Sequence, residues 1–516
     1  VIDHLNWTAT LVFVAFFLLV TILGFVAAHW KRGDLNDLNE WGLGGRRFGP
    51  WISWFLIGGD IYTAYTVIAV PALVYAIGAF GFFAVPYTII IYPLLFVIFP
   101  RLWQVAHRNN YLTASDYLFG RYGNKWLELA VAFTGILATM PYIALQLVGM
   151  ERVIQALGFH GEGLWSHLPL SLAFLILALY TYRSGLRAPA MIAFVKDIMI
   201  YIFVIAAVVV VPMKLGGYGV IFDSAREVFA QKTAASGGKL TAGLLLAPQQ
   251  IWPFITLALG SAFALFMYPH SMTGILAARD PNSIRINAVA LPAYSLVLGL
   301  IALMGLMAHA GGIKVANPQD AVPQLFLTFF PDWFAGFAFA AIAIGALVPA
   351  AIMSIGAANT FTRNIWKPFV HPQMSGLEEA VLAKVMSLVV KVGALVFILF
   401  VPTKFALDLQ LLGGVWMSQI FPAVICGLFF RWFSGWALFC GWAVGMLLGT
   451  WLAWTPAAWV PVHALFGTGV AVYNGLIGLT ANILVAAVLS AILPNRTEDK
   501  TLAADNEELG KGGAPA

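Results

Sequence analysis

The stretch IGGDIYTAYTVIAVP, residues 57–71, decides how this chain is read. It lies inside an apolar run, yet it opens on Gly58, Gly59 and Asp60 and closes on Pro71, with Thr63 and Thr66 between. Glycine and proline interrupt helical hydrogen bonding. Backbone groups freed in this way survive at membrane depth only where they line a site or are buried in protein. The segment therefore predicts a membrane helix broken around residues 62–70, with backbone carbonyls and Thr63 or Thr66 facing a midplane cavity. The competing reading is a kinked but continuous helix, because Gly and Pro are common in spans.

Composition places the run in a bilayer. The chain has 516 residues, 61% hydrophobic and 10% charged, and its mean hydropathy is +0.87. A soluble domain carries roughly 25% charged residues. This is an all-α integral membrane protein with no room for a large soluble domain. Apolar segments near 8–29, 50–76, 79–105, 127–157, 164–182, 188–213, 251–278, 287–310, 333–366, 380–401, 405–430, 434–454 and 469–494 make about 13 transmembrane helices, since a span needs about 20 residues. The chain begins at Val1 and is not expected to be the raw translation product. Residues 8–28 read as a retained first helix and not a signal peptide, because no Lys or Arg precedes them.

Charge sets the orientation. With the N-terminus outside and spans alternating, 19 of the 28 Lys and Arg fall in cytoplasmic segments, 7 fall outside, and Lys196 and Lys391 lie within spans. This bias predicts the N-terminus out and the C-terminus in. The net charge of +5 reports this asymmetry and not a nucleic-acid partner. Cys426 and Cys440 lie in apolar stretches and read as packing residues. Residues 214–250 form the longest external loop, with room for a short helix or lid. The polar tail 495–516 reads as disordered. There is no phosphate-binding glycine loop with its lysine and no metal-ligand cluster, so neither an enzyme nor a primary pump is expected, and no cofactor.

Several motifs resemble the sodium:solute symporter family. They are LGGRRFGP at 43–50, Gly59 and Asp60 followed by PALVY at 71–75, and YRSGLR at 182–187 leading to Lys196 and Asp197. Its monocarboxylate permease branch is resembled by YPHSMTG at 268–274 with Ile284 and Arg285, and by VPAAIMS at 348–354 running to FTRNI at 361–365. The resemblance covers about residues 35–430. It implies a LeuT-type 5+5 inverted-repeat core, with substrate near the midplane beside broken helices. The expected organisation is an extra N-terminal helix and loop (1–47), a first repeat (48–213), the external loop (214–250), a second repeat (251–430), two C-terminal helices (431–494) and the tail (495–516). The counterpart break of the second repeat is expected at Pro253, Gly260 and Ser261.

Burying a charge in a span costs at least about 2.5–3.5 kcal/mol, so each such residue needs a reason. Asp60 matches an acidic position that the family links to cation binding; the alternative is a carboxylate capping a frayed helix. Asp197 matches a family acidic position, whereas Lys196 stands where the family usually has Thr. Adjacent residues diverge by roughly 100° on a helix and need not pair. Some proton-coupled transporters of this fold put a lysine ammonium where sodium would sit; the alternative for Lys196 is snorkelling to the interface. Ser354 offers one hydroxyl where the family usually offers two, because Ile355 follows it. A sodium site near Gly59 and Ser354 is thereby weakened, and the coupling ion is H+ or Na+ with the proton favoured. Thr63, Thr66, Gln146, Ser261 and Gln419 are the candidate substrate contacts, with helix-to-helix bonding the alternative for the two glutamines. His270 is a proton carrier or a substrate ligand or, more commonly for such a residue, a loop-packing histidine. The residues assign no role to Lys391.

The expected function is cation-coupled uptake of a small monocarboxylate (lactate, pyruvate, acetate or propionate) by alternating access. A sodium-coupled proline or alanine symporter is the first alternative and a passive channel the second. The partners are the solute, the cation and the lipid bilayer, and the place is the plasma membrane, a bacterial inner membrane.

Overall fold

The computed structural model describes residues 5–31, 33–159, 167–238, 240–400, 403–455, 459–465, 467–494 and 497–501. These are nearly all helix. The elements used below are α1 (Trp7–Val26), α2 (Pro50–Gly59), α3 (Val70–Ile77), α4 (Ala84–Arg108), α5 (Lys125–Ala156), α6 (Leu168–Ser184), α7 (Arg187–Leu215), α8 (Tyr218–Ala235), α9 (Pro248–Leu265), α10 (Pro269–Leu276), α11 (Pro292–Ala310), α12 (Asp332–Phe361), α13 (Gly376–Phe400), α14 (Thr403–Ser418), α15 (Gly435–Ala453) and α16 (Asn474–Ile492). Between α15 and α16 a small antiparallel pair forms from β1 (Val462–Ala464) and β2 (Ala471–Tyr473). Among the described residues, nine helices are long and apolar enough to cross a membrane, or ten if the bent pair α9 and α10 is one span.

The centre is α12. Its apolar window is wholly buried, and it packs against α1, α5, α7, α10 and α13. Its run of Ala and Gly explains why: small residues let helix backbones approach closely where lipid gives no hydrophobic drive. A Cβ on Gly336 would lie 2.2 Å from the Ala9 carbonyl oxygen of α1. Gly336→Val is therefore expected to push α1 off α12 at a cost of about 1–3 kcal/mol. A thermal-unfolding scan in detergent checks this, and an unchanged midpoint would make the α1 contact dispensable. By contrast α1, α15 and α16 bury only 22%, 33% and 33% of their windows and present Trp7, Trp436 and Trp451 outward.

The broken span is present, but its gap is shorter and earlier than residues 62–70. Helix α2 stops at Gly59, the chain turns through 60–63, and a wide π-helical turn (Tyr65–Ala69) runs straight into α3. Pro71 falls in the first turn of α3, where a missing N–H is tolerated. The second break also moves. Pro253, Gly260 and Ser261 all lie within continuous α9. The interruption is at 266–268, where the axis bends by 55°. Tyr268 there is extended (φ −60°, ψ 141°), the conformation a following proline imposes, and Pro269 starts α10.

Outside the core, the long loop carries the 18-residue helix α8. Part of the tail that reads as disordered is anchored: Asp499 pairs with Arg121 at 3.2 Å and the Lys500 N–H donates to Gly120 O at 3.1 Å.

Candidate solute and cation site

The first break leaves carbonyl oxygens without helical partners, and Lys196 fills the gap. From α7 its Nζ donates to Gly59 O at 2.7 Å and to Tyr62 O at 3.3 Å. The same ammonium lies 3.1 Å from Asp197 Oδ1, and both side chains are fully buried. The neighbours therefore do pair, against the helical-angle expectation: the long lysine stem folds back across one step. Asp197 Oδ2 accepts the Tyr294 hydroxyl at 2.6 Å, and Tyr62 donates to Tyr294 O at 3.2 Å. Lys196 does not snorkel to an interface.

Asp60 faces the second break. Its Oδ2 accepts the Ser271 hydroxyl at 3.2 Å and lies 3.7 Å from His270 Nε2. Ser271 and His270 are in the first turn of α10, where the helix dipole favours an anion. At the C-terminus of its own helix α2 a carboxylate would be disfavoured, so the geometry does not fit a simple cap. Asp60 Oδ1 is buried without a hydrogen bond among the described residues. Asp60 also feels the charge of Lys196. Both helix breaks thus contribute ionisable side chains to one region: Lys196 and Asp197 on the first, and Asp60 facing the His270 imidazole of the second.

Next to it lies a cavity of about 60 Å³ lined by Tyr65, Tyr87, Tyr142, Tyr268, Ser261 and Tyr473, among others. Tyr142 and Tyr268 also pack on the His270 ring at 5.5 and 5.2 Å. One water takes about 10–15 Å³ of such space, so the cavity has the room of about four waters. It is walled by aromatic faces and several hydroxyls. That suits a small solute with one polar end.

A family model for the sodium:solute symporter family matches residues 41–449. The chain belongs to the sodium:solute symporter family. A relative from Rhizobium johnstonii described as a "Monocarboxylate transport permease protein" is 58% identical over 95% of this chain and 98% of its own. The "Uncharacterized symporter YodF" of Bacillus subtilis is 34% identical over 94% of each chain. A solved structure of a Na+-coupled sialic acid symporter superimposes with a TM-score of 0.76 at 15% identity, over 95% of this chain and 98% of that one. Mhp1, a nucleobase-cation-symport-1 family transporter, superimposes with a TM-score of 0.50 at 13% identity, over 92% of this chain and 99% of that one, so the chain shares its fold with these helical transporters. This chain is a transporter and not an enzyme, a multi-pass protein of the bacterial inner membrane.

In this symporter the other predicted residues scatter. Ser261 lines the cavity. Thr66 donates to Ile61 O and satisfies the break's own backbone, whereas Thr63 accepts the Tyr65 N–H at 3.1 Å and also bonds the side chain of Tyr142, which lines the cavity. Gln146 Oε1 accepts the Ala64 N–H at 2.9 Å, tying the restarted helix to α5. Ser354 donates to Ala351 O on its own helix at 2.7 Å, and no hydrogen bond joins it to Lys196 or Asp60 among the described residues. The oxygens proposed for sodium near Gly59 and Ser354 are therefore not gathered: Gly59 O serves the lysine and Ser354 serves α12. Gln419 lies away from the cavity, donating to Gly475 O at 3.1 Å, while Asn482 of α16 donates to Gln419 O at 2.8 Å. It holds α14 to α16. Gln419→Ala is expected to lose about 1–3 kcal/mol of stability with unchanged KM; a raised KM with an unchanged melting temperature would return it to the solute path.

Ser271, Tyr62, Tyr294 and Tyr473 are missed by sequence reasoning. Ser271 had a signal, since it follows His270 in the YPHSMTG motif. The tyrosines had none: a Tyr in an apolar span reads as interfacial, and only tertiary contact brings Tyr294 to Asp197 and Tyr62 and Tyr473 to the cavity. Lys391 is buried, with a long contact of 3.5 Å to Ser387 O.

Proposed function

We propose that this symporter takes up a small monocarboxylate in step with a proton. The observation that carries the coupling is the Lys196 ammonium bonded to both carbonyls at the break. A positive charge there fills the oxygen set that a metal cation would otherwise use, and it can leave only as a proton. While protonated, Lys196 bridges the break and pairs with Asp197. Loss of the proton frees the Gly59 and Tyr62 carbonyls and unbalances Asp197, which gives the break two states for solute binding to bias. Asp60 and Ser271 link that event to the second break. The name of the 58%-identical relative supports a monocarboxylate, as does the small hydroxyl-lined cavity. Among the described residues no arginine lines it, and the carboxylate is held by hydroxyls and helix N-termini.

The same reading takes the chain as thirteen spans, N-terminus out and C-terminus in, with repeats at 48–213 and 251–430. Its support is arithmetic of length: the broken α2–α3 span, α6 and α13 add to the ten counted above. The test is uptake of labelled lactate, pyruvate, acetate, propionate, alanine and proline into proteoliposomes, with sodium and proton gradients imposed separately. Proton-driven accumulation of an acid without sodium is expected. Strict sodium dependence would overturn the coupling, and transport of only alanine or proline would overturn the solute.

A further inference from the structure

We propose that Tyr473, delivered by the hairpin between the last two helices, is the roof of the cavity and limits the size of the solute. Its role as a solute limiter rests on reading that cavity as the solute site.

Four observations converge. Tyr473 ends β2, is 2% exposed and lines the cavity beside Tyr65 of the broken span. Its backbone N–H donates to Thr256 Oγ1 of α9 at 3.0 Å, which fixes the hairpin onto the helix that carries Ser261. Its ring enters between two helices exactly where both lack a side chain, if only those positions are counted: a Cβ on Gly260 of α9 would lie 2.2 Å from Tyr473 Cδ1, and one on Gly414 of α14 would lie 2.9 Å from its hydroxyl. The apolar cluster around it (Phe83, Leu257, Leu412, Val415 and Ala453) meets the main core through the partly buried Tyr65, Tyr87 and Trp416.

The cluster matters because packing joined to the core through a few partly buried rings can open locally at less cost than unfolding the core. The hairpin itself is well placed to be a rigid carrier. Its base is tied by Asn474 N to Pro461 O at 2.9 Å, by Asn474 Nδ2 to Val460 O at 2.7 Å and by Val460 N to Ala453 O at 2.8 Å. The tyrosine therefore moves with α15 and α16 or not at all. The C-terminal pair of helices thus reaches the solute path through one aromatic ring, on the side of the membrane where α9 begins.

The test places a cysteine at Ser261 in a background with Cys426→Ala and Cys440→Ala and follows its reaction with a membrane-impermeant maleimide in sealed, oriented vesicles. In Tyr473→Ala the reaction is expected to speed up by about tenfold or more, because Ser261 is only partly exposed beneath the ring and its labelling tracks the population of the form in which the ring is away. Gly260→Ala, which displaces the ring and leaves the tyrosine in place, is expected to do the same and guards against a fold-specific effect of the first variant. Unchanged labelling in both variants overturns the roof. Propionate is expected to slow labelling, and Tyr473→Ala is expected to raise uptake of hexanoate relative to acetate. Faster labelling with no protection by any monocarboxylate would uphold the roof and sink the solute assignment. Faster labelling with an unchanged hexanoate-to-acetate ratio would overturn the size limit.

Discussion

Lys196→Ala is expected to abolish proton-driven accumulation, lowering it by about 100-fold or more, which corresponds to about 2.7 kcal/mol. The magnitude follows from what the variant leaves behind. Asp197 stays fully buried and loses its cation, and Gly59 O and Tyr62 O lose their donor. Removing one partner of a buried pair costs about 3–5 kcal/mol, so loss of folding must be separated from loss of coupling. The paired variant Lys196→Met with Asp197→Asn removes both charges together and keeps a polar group for the Tyr294 hydroxyl. It is expected to melt close to wild type and still fail to accumulate solute in a proton gradient. A second readout addresses the ion directly. Lys196→Ala alone empties the carbonyl pair and retains Asp197, an oxygen set fit for a small cation, so any residual uptake is expected to rise with sodium. Proton-driven uptake by Lys196→Ala at the wild-type rate would exclude the lysine from coupling.

The break is the part of the fold most legible in the sequence, because Gly58, Gly59 and Pro71 act on the backbone locally. Its position was less legible. A proline tells where a helix cannot continue to donate, and Pro71 is absorbed by the π-helical turn before it; the actual interruption is fixed by Lys196, from a helix more than 130 residues later in the chain. The same limit explains α9. Pro253 and Gly260 looked like breakers, but α9 runs unbroken through both, and Gly260 is needed for the close approach of Tyr473. Of the candidate site, the ionisable members could be read because charge in an apolar span is costly wherever it points. Thr63, Thr66, Gln146 and Gln419 could not be sorted, since a hydroxyl or amide in a span serves backbone and solute equally well. Only the partner atoms divide them, and the partners lie on other helices.

Asp60→Asn is the second large effect expected, a loss of accumulation of about 100-fold with solute exchange between the two sides retained. The substitution keeps an oxygen for the Ser271 hydroxyl, now 3.2 Å from Asp60 Oδ2, and nearly the same volume, so the contact between the two breaks survives. What disappears is the charge. Asp60 is the carboxylate that faces His270 at 3.7 Å and follows the Gly59 carbonyl that Lys196 holds, while among the described residues its Oδ1 has no hydrogen bond. A buried carboxylate with a free oxygen is costly to keep unless a cation or a proton visits it. With the charge gone, the proton on Lys196 loses its second counter-charge and its movement no longer depends on the state of α10. Binding and exchange draw on the cavity hydroxyls, which the substitution does not touch, and so they continue. The measurement is a pair of assays on one proteoliposome preparation: uphill accumulation in an imposed proton gradient, and counterflow of labelled solute against unlabelled solute with no gradient. Loss of the first with the second intact is the signature of uncoupling. Loss of both would make Asp60 part of the solute site, and retention of both would leave it a structural link between α2 and α10.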